Sequence, residues 1–183
     1  EILVSGENIM NGYWNDPDAT SKTIIDGWVH TGDIGEFDEE DYLKITDRKK
    51  DIIVNAGGDN ISPTRIEAKI DIEPEIAQSM LYGDYKNYLV AVIVPDKDFA
   101  LNWAKENSKD QKLESIVKDD DFNKLMKEVV NRVNKNLSVI EQVRKFILID
   151  HEFTIENSMM TVSMKVRRFA VKDKYQEDLE KLY

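Results

Sequence analysis

Cysteine is absent from the 183 residues, which excludes a disulfide and any cysteine-based metal site and fits a reducing compartment. Histidine is nearly absent: the only two, His30 and His151, are too far apart in sequence to argue for a metal centre. No apolar run approaches the ~20 residues that cross a bilayer, and no signal-peptide pattern opens the chain. No internal repeat, low-complexity linker or Ser-His-Asp set is visible. Positive charge is in deficit, with 25 Lys and Arg against 36 Asp and Glu and a net charge of -11. That balance excludes nucleic-acid binding through the whole surface and leaves room only for local basic clusters.

What is present describes a folded chain, 41% hydrophobic and 33% charged. Glu1-Ile2-Leu3-Val4 reads as a strand met without an initiator Met, as expected of a fragment. Asp18 to Lys22 predicts a helical turn, Asp26-Gly27 a hairpin turn, and Trp28 to His30 a strand. Phe37 and Tyr42 to Ile45 flank an acidic turn. Residues 1–46 therefore read as short antiparallel strands, too few to bury a core, and are expected to be the tail of a larger domain.

From Asp47 the texture changes to α+β, with a small three-stranded sheet, helices and a short hairpin expected. Asp51 to Val54 reads as a strand, and Ser62-Pro63 starts a helix whose buried stripe includes Ile66 and Ile70. Ala77 to Tyr82 and Tyr88 to Val94 read as strands, the second apolar throughout and so central. Helices are expected from about Pro95 to Asn107, Asp119 to Asn136 and 167 to 181, with a strand at Phe146 to Ile149 and loop over 150–165. His151 is expected at the surface, and Met159-Met160 in packing.

Four constellations could carry chemistry. In His30-Thr31-Gly32-Asp33 the glycine permits a tight turn and the carboxylate projects from the loop. A carboxylate can accept from both hydroxyls of a ribose, yet a bare Thr-Gly-Asp reads equally as a turn. Asp47-Arg48-Lys49-Lys50-Asp51 is a dense charge run at the change of texture, either solvated or aimed at phosphate. Asn55-Ala56-Gly57-Gly58-Asp59-Asn60 permits close backbone approach, or is only a turn between strand and helix. Lys165 lies in Thr161-Val162-Ser163-Met164-Lys165-Val166-Arg167-Arg168, a loop lysine that could equally be solvated.

In order and spacing these motifs, together with Gly12-Tyr13-Trp14 and Asp18-Ala19-Thr20, resemble the adenylate-forming acyl-CoA synthetases, most closely long-chain fatty acid–CoA ligases. The resemblance covers essentially the whole chain. It implies that residues 1–46 end a large AMP-binding domain and that 47–183 form a mobile C-terminal domain, with a hinge at 47–50. It implies that Asp33 and Arg48 bind nucleotide, Lys50 is the hinge residue, Gly57 and Gly58 help form the CoA channel, and Lys165 is catalytic.

The implied substrates are fatty acid, ATP and CoA, with AMP and pyrophosphate released and Mg2+ held by regions outside this chain. The resemblance implies no nucleic-acid partner, a cytoplasmic enzyme with room for peripheral membrane contact, and a homodimer only through regions outside this chain. The fragment alone is expected to be inactive. Another adenylate-forming ligase, or a non-catalytic lid, remains an alternative. One departure stands out: Val162 occupies the position where the family pattern has proline.

Overall fold

A computed structural model describes all 183 residues and divides them into two compact units, Glu1–Ile52 and Ile53–Tyr183. The first unit is built from short strands. β1 (Leu3–Val4) and β2 (Ile24–Ile25) flank β3 (Trp28–His30) in an antiparallel sheet ordered β1-β3-β2. Helix α1 (Pro17–Thr23) starts one residue before the expected Asp18, because Asp16 accepts from the Ala19 amide and Pro17 suits the first turn. β4 (Asp33–Phe37) and β5 (Leu43–Arg48) form a hairpin. Its acidic turn is closed by Asp38, whose carboxylate accepts from the amides of Tyr42 and Glu40 at 2.9 and 3.0 Å. No apolar side chain of this unit is fully buried, and Trp14 is 92% exposed.

The second unit is α+β. A hairpin of β6 (Ile53–Val54) and β7 (Asn60–Ile61) leads into α2 (Pro63–Ile70). β8 (Ile76–Tyr82) and β9 (Leu89–Pro95) are antiparallel, and β10 (Val143–Leu148) joins β9 on its other side, parallel to it. The crossover from β9 to β10 carries α3 (Lys97–Glu106), α4 (Leu113–Ile116) and α5 (Asp120–Asn134). Helix α6 (Arg168–Glu180) ends the unit.

β9 is buried along its whole length because both its faces are covered. Leu89, Ala91 and Ile93 point into one core with α2, α3 and α5, whereas Val90, Val92 and Val94 point into a second with Phe153, Met159 and α6. That alternation is the two-residue period of a strand, with both faces made apolar. The α4 turn was not expected, and the last helix begins one residue later than expected, at Arg168. His151 is half-exposed, with its Nδ1 2.6 Å from Asp150 and its Nε2 2.9 Å from the Tyr175 hydroxyl. No helix is long and apolar enough to cross a membrane.

Candidate functional site

In the first unit, Asp33 and Arg48 meet. Asp33 is not in the loop expected for it but is the first residue of β4, directly opposite Arg48 in the ladder. Arg48 and Asp33 form an ion pair, Nε to Oδ1 2.9 Å, with 53% and 23% of the two side chains exposed. Gly32 supplies the turn just before, at φ +72°, a backbone shape that side chains with a Cβ rarely adopt. The Thr31 hydroxyl accepts from the Asp33 amide at 3.1 Å and donates to the Ile2 carbonyl at 2.8 Å, so the turn is tied to β1's approach.

Asp47 is 7% exposed and accepts from the Arg48 amide at 2.7 Å. Asp47 and Arg48 thus finish β5, and the turn follows at Lys49–Ile52. Its main-chain bonds use the amides of Lys49, Asp51 and Ile52, the first donating to Gly32 and the other two to Arg48. Lys50 sits in the middle of that turn and is exposed.

In the second unit, Gly57 and Gly58 form the tip of the β6–β7 hairpin, so the expected strand-to-helix loop is a hairpin with Asn60 already in β7. Asn55 closes the tip: its carbonyl accepts from Gly58 at 3.0 Å, and its side-chain oxygen from the Asp59 amide at 2.9 Å. Gly58 has φ +85°. The hairpin is pinned to the β8–β9 turn by Tyr85 donating to the Val54 carbonyl at 2.7 Å and Ala56 to that of Lys86 at 3.0 Å.

Lys165 is exposed and takes part in no ion pair of the protein. Its loop is nonetheless a closed turn. The Thr161 amide donates to the Lys165 carbonyl at 2.8 Å, and the Lys165 amide donates to the Thr161 hydroxyl at 3.1 Å. Met164 takes φ +59° within it, and Met160 and Val166 bridge its base. Val162 is 87% exposed and makes no turn bond, so Thr161 shapes this loop where the proline is missing.

Sequence reasoning missed a buried polar group in the second unit. Glu67, on α2, is 8% exposed; its carboxylate accepts from the Leu81 amide at 2.7 Å and from Arg168 Nη1 at 2.6 Å, and Arg168 Nη2 closes a second bond. One turn on, Asp71 accepts from the Ser79 hydroxyl at 2.6 Å. Poor hydration of that carboxyl pushes its pKa up to about 6, with the Glu67 charge adding to the rise and the Ser79 hydroxyl opposing it. The available signal was spacing: Glu67 stands one residue after Ile66 and three before Ile70, inside the apolar stripe of α2.

No three His, Cys, Asp or Glu side chains converge as metal ligands. The arrangement offers a half-buried carboxylate at Asp33 and an exposed cation at Lys165.

The family model described as AMP-binding enzyme C-terminal domain matches residues 50–183. Long-chain-fatty-acid–CoA ligase FadD15 of Mycobacterium tuberculosis (strain ATCC 25618 / H37Rv) is 36% identical over 185 residues, covering 100% of this chain and 31% of its own length. Long-chain-fatty-acid–CoA ligase 1 of Homo sapiens is 33% identical over 187 residues, covering 100% of this chain and 27% of its own length. Among solved structures, the adenylation domain of a carboxylate reductase from Mycobacterium chelonae superposes with a TM-score of 0.82 at 28% identity, over 99% of this chain and 27% of that one. The A-PCP didomain of the carboxylic acid reductase from Segniliparus rugosus, in complex with AMP, gives 0.78 at 26% identity, over 99% and 24%. The chain spans about a third of the length of the curated relatives it matches.

Proposed function

The chain belongs to the family of AMP-binding enzyme C-terminal domains, and from that premise we propose that it is the C-terminal portion of an ATP-dependent long-chain fatty acid–CoA ligase. The observation that carries this reading is the match of the entire chain to such ligases, with Asp33 and Arg48 paired and Lys165 displayed on a closed turn.

The reaction has two steps. A fatty carboxylate oxygen attacks the α-phosphorus of ATP, and pyrophosphate leaves with the electrons of the broken P–O bond. The CoA thiolate then attacks the acyl carbonyl and AMP leaves. The first step makes a poor electrophile reactive, and the second uses that reactivity before water can.

Asp33 accepts from the ribose hydroxyls, and Arg48 orients that carboxylate and approaches the same ribose. Lys165 steadies the negative charge that builds between carboxylate and α-phosphate, an electrostatic role. Residues 1–46 close the large domain, and 47–183 form the mobile one, turning about Lys50. Rotation exchanges the Lys165 turn for the Gly57-Gly58 tip, which lines the path of the CoA thiol. Mg2+ belongs to parts of the enzyme outside this chain. We place the enzyme in the cytoplasm with peripheral membrane contact, and assign any homodimer to regions outside this chain.

The likeness to carboxylic acid reductase adenylation domains favours one second reading, in which the acceptor thiol sits on a carrier protein. The full-length enzyme, given ATP, Mg2+, a long-chain fatty acid and CoA, should release one AMP and one pyrophosphate per acyl-CoA formed. AMP release with thioester formed only on a carrier protein would favour the second reading. No fatty-acid-dependent pyrophosphate release would overturn both.

A further inference from the structure

The start of α6 is built differently from the other long helices of the second unit. α2, α3 and α5 begin at Ser62, Asp96 and Asp119, each accepting a main-chain amide of its own first turn. α6 begins at Arg167 with no side-chain cap and no acidic residue in its first turn. It places Arg168 where the positive helix end disfavours a cation. Local propensity therefore does not account for Arg168.

Its partner does. Arg168 makes a two-bond clamp on Glu67, from 101 residues earlier, and the two side chains are 20% and 10% exposed. Glu67 also accepts from the Leu81 amide at 2.7 Å. One carboxylate thus ties α2 and β8 to the first residue of α6. A planar guanidinium on a carboxylate fixes orientation as well as distance.

Lys165 lies three residues before Arg168. The short link between them is itself braced through the main chain: the Arg167 amide donates to the Met159 carbonyl at 2.7 Å, and Met160 bridges Val166. Little slack separates the clamp from the lysine. α2, at the other end of the clamp, follows directly from the hairpin that carries Gly57 and Gly58.

We propose that Glu67 and Arg168 are positioning residues for adenylation: their clamp sets where the Lys165 turn stands on the second unit. The proposal rests on Lys165 acting in the adenylation step. A misplacement of about 1 Å at a reacting centre can cost on the order of 10²-fold in rate. Arg168→Lys keeps the charge and loses the planar fork. Glu67→Gln keeps the shape and the acceptor for Leu81 and loses the charge. Each alters the clamp without changing the Lys165 side chain itself.

The test uses the full-length ligase and both half-reactions: pyrophosphate release from ATP and fatty acid, and thioester formation from preformed acyl-adenylate and CoA. Each variant should lower kcat for adenylation by about 10- to 100-fold, with KM for ATP and fatty acid within about twofold of wild type. Thioester formation in the same preparations should stay near wild type, which also reports that the protein is folded. The double variant should be no worse than the poorer single one, since both remove one clamp.

Equal loss of both half-reactions would show that the clamp only holds the fold together and would overturn the proposal. So would unchanged adenylation in both variants. Lys165→Ala runs in parallel. If it damages adenylation while the clamp variants do not, the positioning role falls and the lysine stands; if it leaves adenylation intact, the lysine assignment falls and takes the positioning role with it.

Discussion

Arg48 Nε lies 2.9 Å from Asp33 Oδ1 in an ion pair, and the same two residues are direct partners across the β4–β5 ladder. The ladder holds the backbones, so the ion pair is free to serve orientation. An exposed pair of this kind contributes little to stability, typically under about 1 kcal/mol. Asp33→Ala should therefore leave the unfolding midpoint nearly unchanged. It should weaken ATP and acyl-adenylate binding by on the order of 10- to 100-fold, the cost of hydrogen bonds to a charged group. Nucleotide titration beside thermal unfolding of the full-length enzyme checks this. A large drop in stability with unchanged nucleotide affinity would remove the ribose role.

Lys165 should matter for making the adenylate and not for consuming it. Losing one well-placed charge-stabilising group typically costs ~10²–10³ in rate, about 2.7–4 kcal/mol. Lys165→Ala should lose that much in pyrophosphate release and retain thioester formation from preformed acyl-adenylate. Arg167→Ala is the proper control, because Arg167 is exposed and its side chain bonds only the Ser158 carbonyl. Arg168 is not a control, since it is clamped to Glu67. Arg167→Ala matching the damage of Lys165→Ala would reduce the lysine to part of a basic surface.

Gly58 has φ +85° and nothing within 4 Å of the site a Cβ would occupy. Alanine there meets no clash, only backbone strain of roughly 1–2 kcal/mol. Gly58→Ala should lower stability by about that amount and slow thioester formation more than adenylation. Gly57→Ala differs in kind: a Cβ would lie 3.2 Å from Asn55 Oδ1 and 3.3 Å from Asp59 Oδ2, the atoms that close the tip. If Gly58→Ala slows both half-reactions equally, the tip has no special part in thiol delivery.

Lys50→Pro asks whether the turn after β5 is the pivot. The turn's main-chain bonds use the amides of Lys49, Asp51 and Ile52, so proline stiffens the chain without taking one of those donors. In the full-length ligase it should impair one half-reaction more than the other. Equal loss of both, measured in single turnovers, would count against a hinge here.

The local parts of this fold were legible and the long-range ones were not. β9 could be read as central because Leu89 to Val94 is apolar at every position. The five buried residues of α5 fall at helical spacing, and the helix starts within one residue of the expected Asp119, which caps it. The parallel pairing of β10 with β9 depends on a crossover of three helices, which no local pattern encodes. The sequence reads Asp33 as a loop residue because Gly32 permits a tight turn just before it; pairing with β5 draws Asp33 into β4. Asp33 and Arg48 were legible as neighbours facing one ribose, while their direct pairing across the ladder is a matter of register. Glu67 and Arg168 were illegible as a pair for the plainest reason, the 101 residues between them.

Asp71 makes the stability of the second unit depend on pH in a direction opposite to that of an ordinary paired carboxylate. In the unfolded chain its carboxyl loses a proton near the ordinary 3.8, and in the folded chain near about 6. Between those values the folded state binds more protons than the unfolded one, so this group's contribution falls as pH rises. Below about 4 it costs nothing, because the carboxyl is neutral in both states. Above about 6 the cost is fully present, because a poorly hydrated charge sits near Glu67 on the same helix, with the Ser79 hydroxyl as its bonded partner. Asp71 as a whole is exposed to solvent, so screening keeps the penalty small. Asp71→Asn keeps an acceptor for Ser79 and cannot ionise. The difference in unfolding midpoint, variant minus wild type, should therefore be small at pH 4, turn in favour of the variant between pH 4 and 6, and level off above that. Taking the difference cancels the other carboxylates, such as Asp150 and Glu180, whose pKa values are lowered by His151 and Lys86 and which pull the other way. A difference that stays flat from pH 4 to 7.5, or that favours wild type at neutral pH, would show that Asp71 ionises in the folded protein at no special cost.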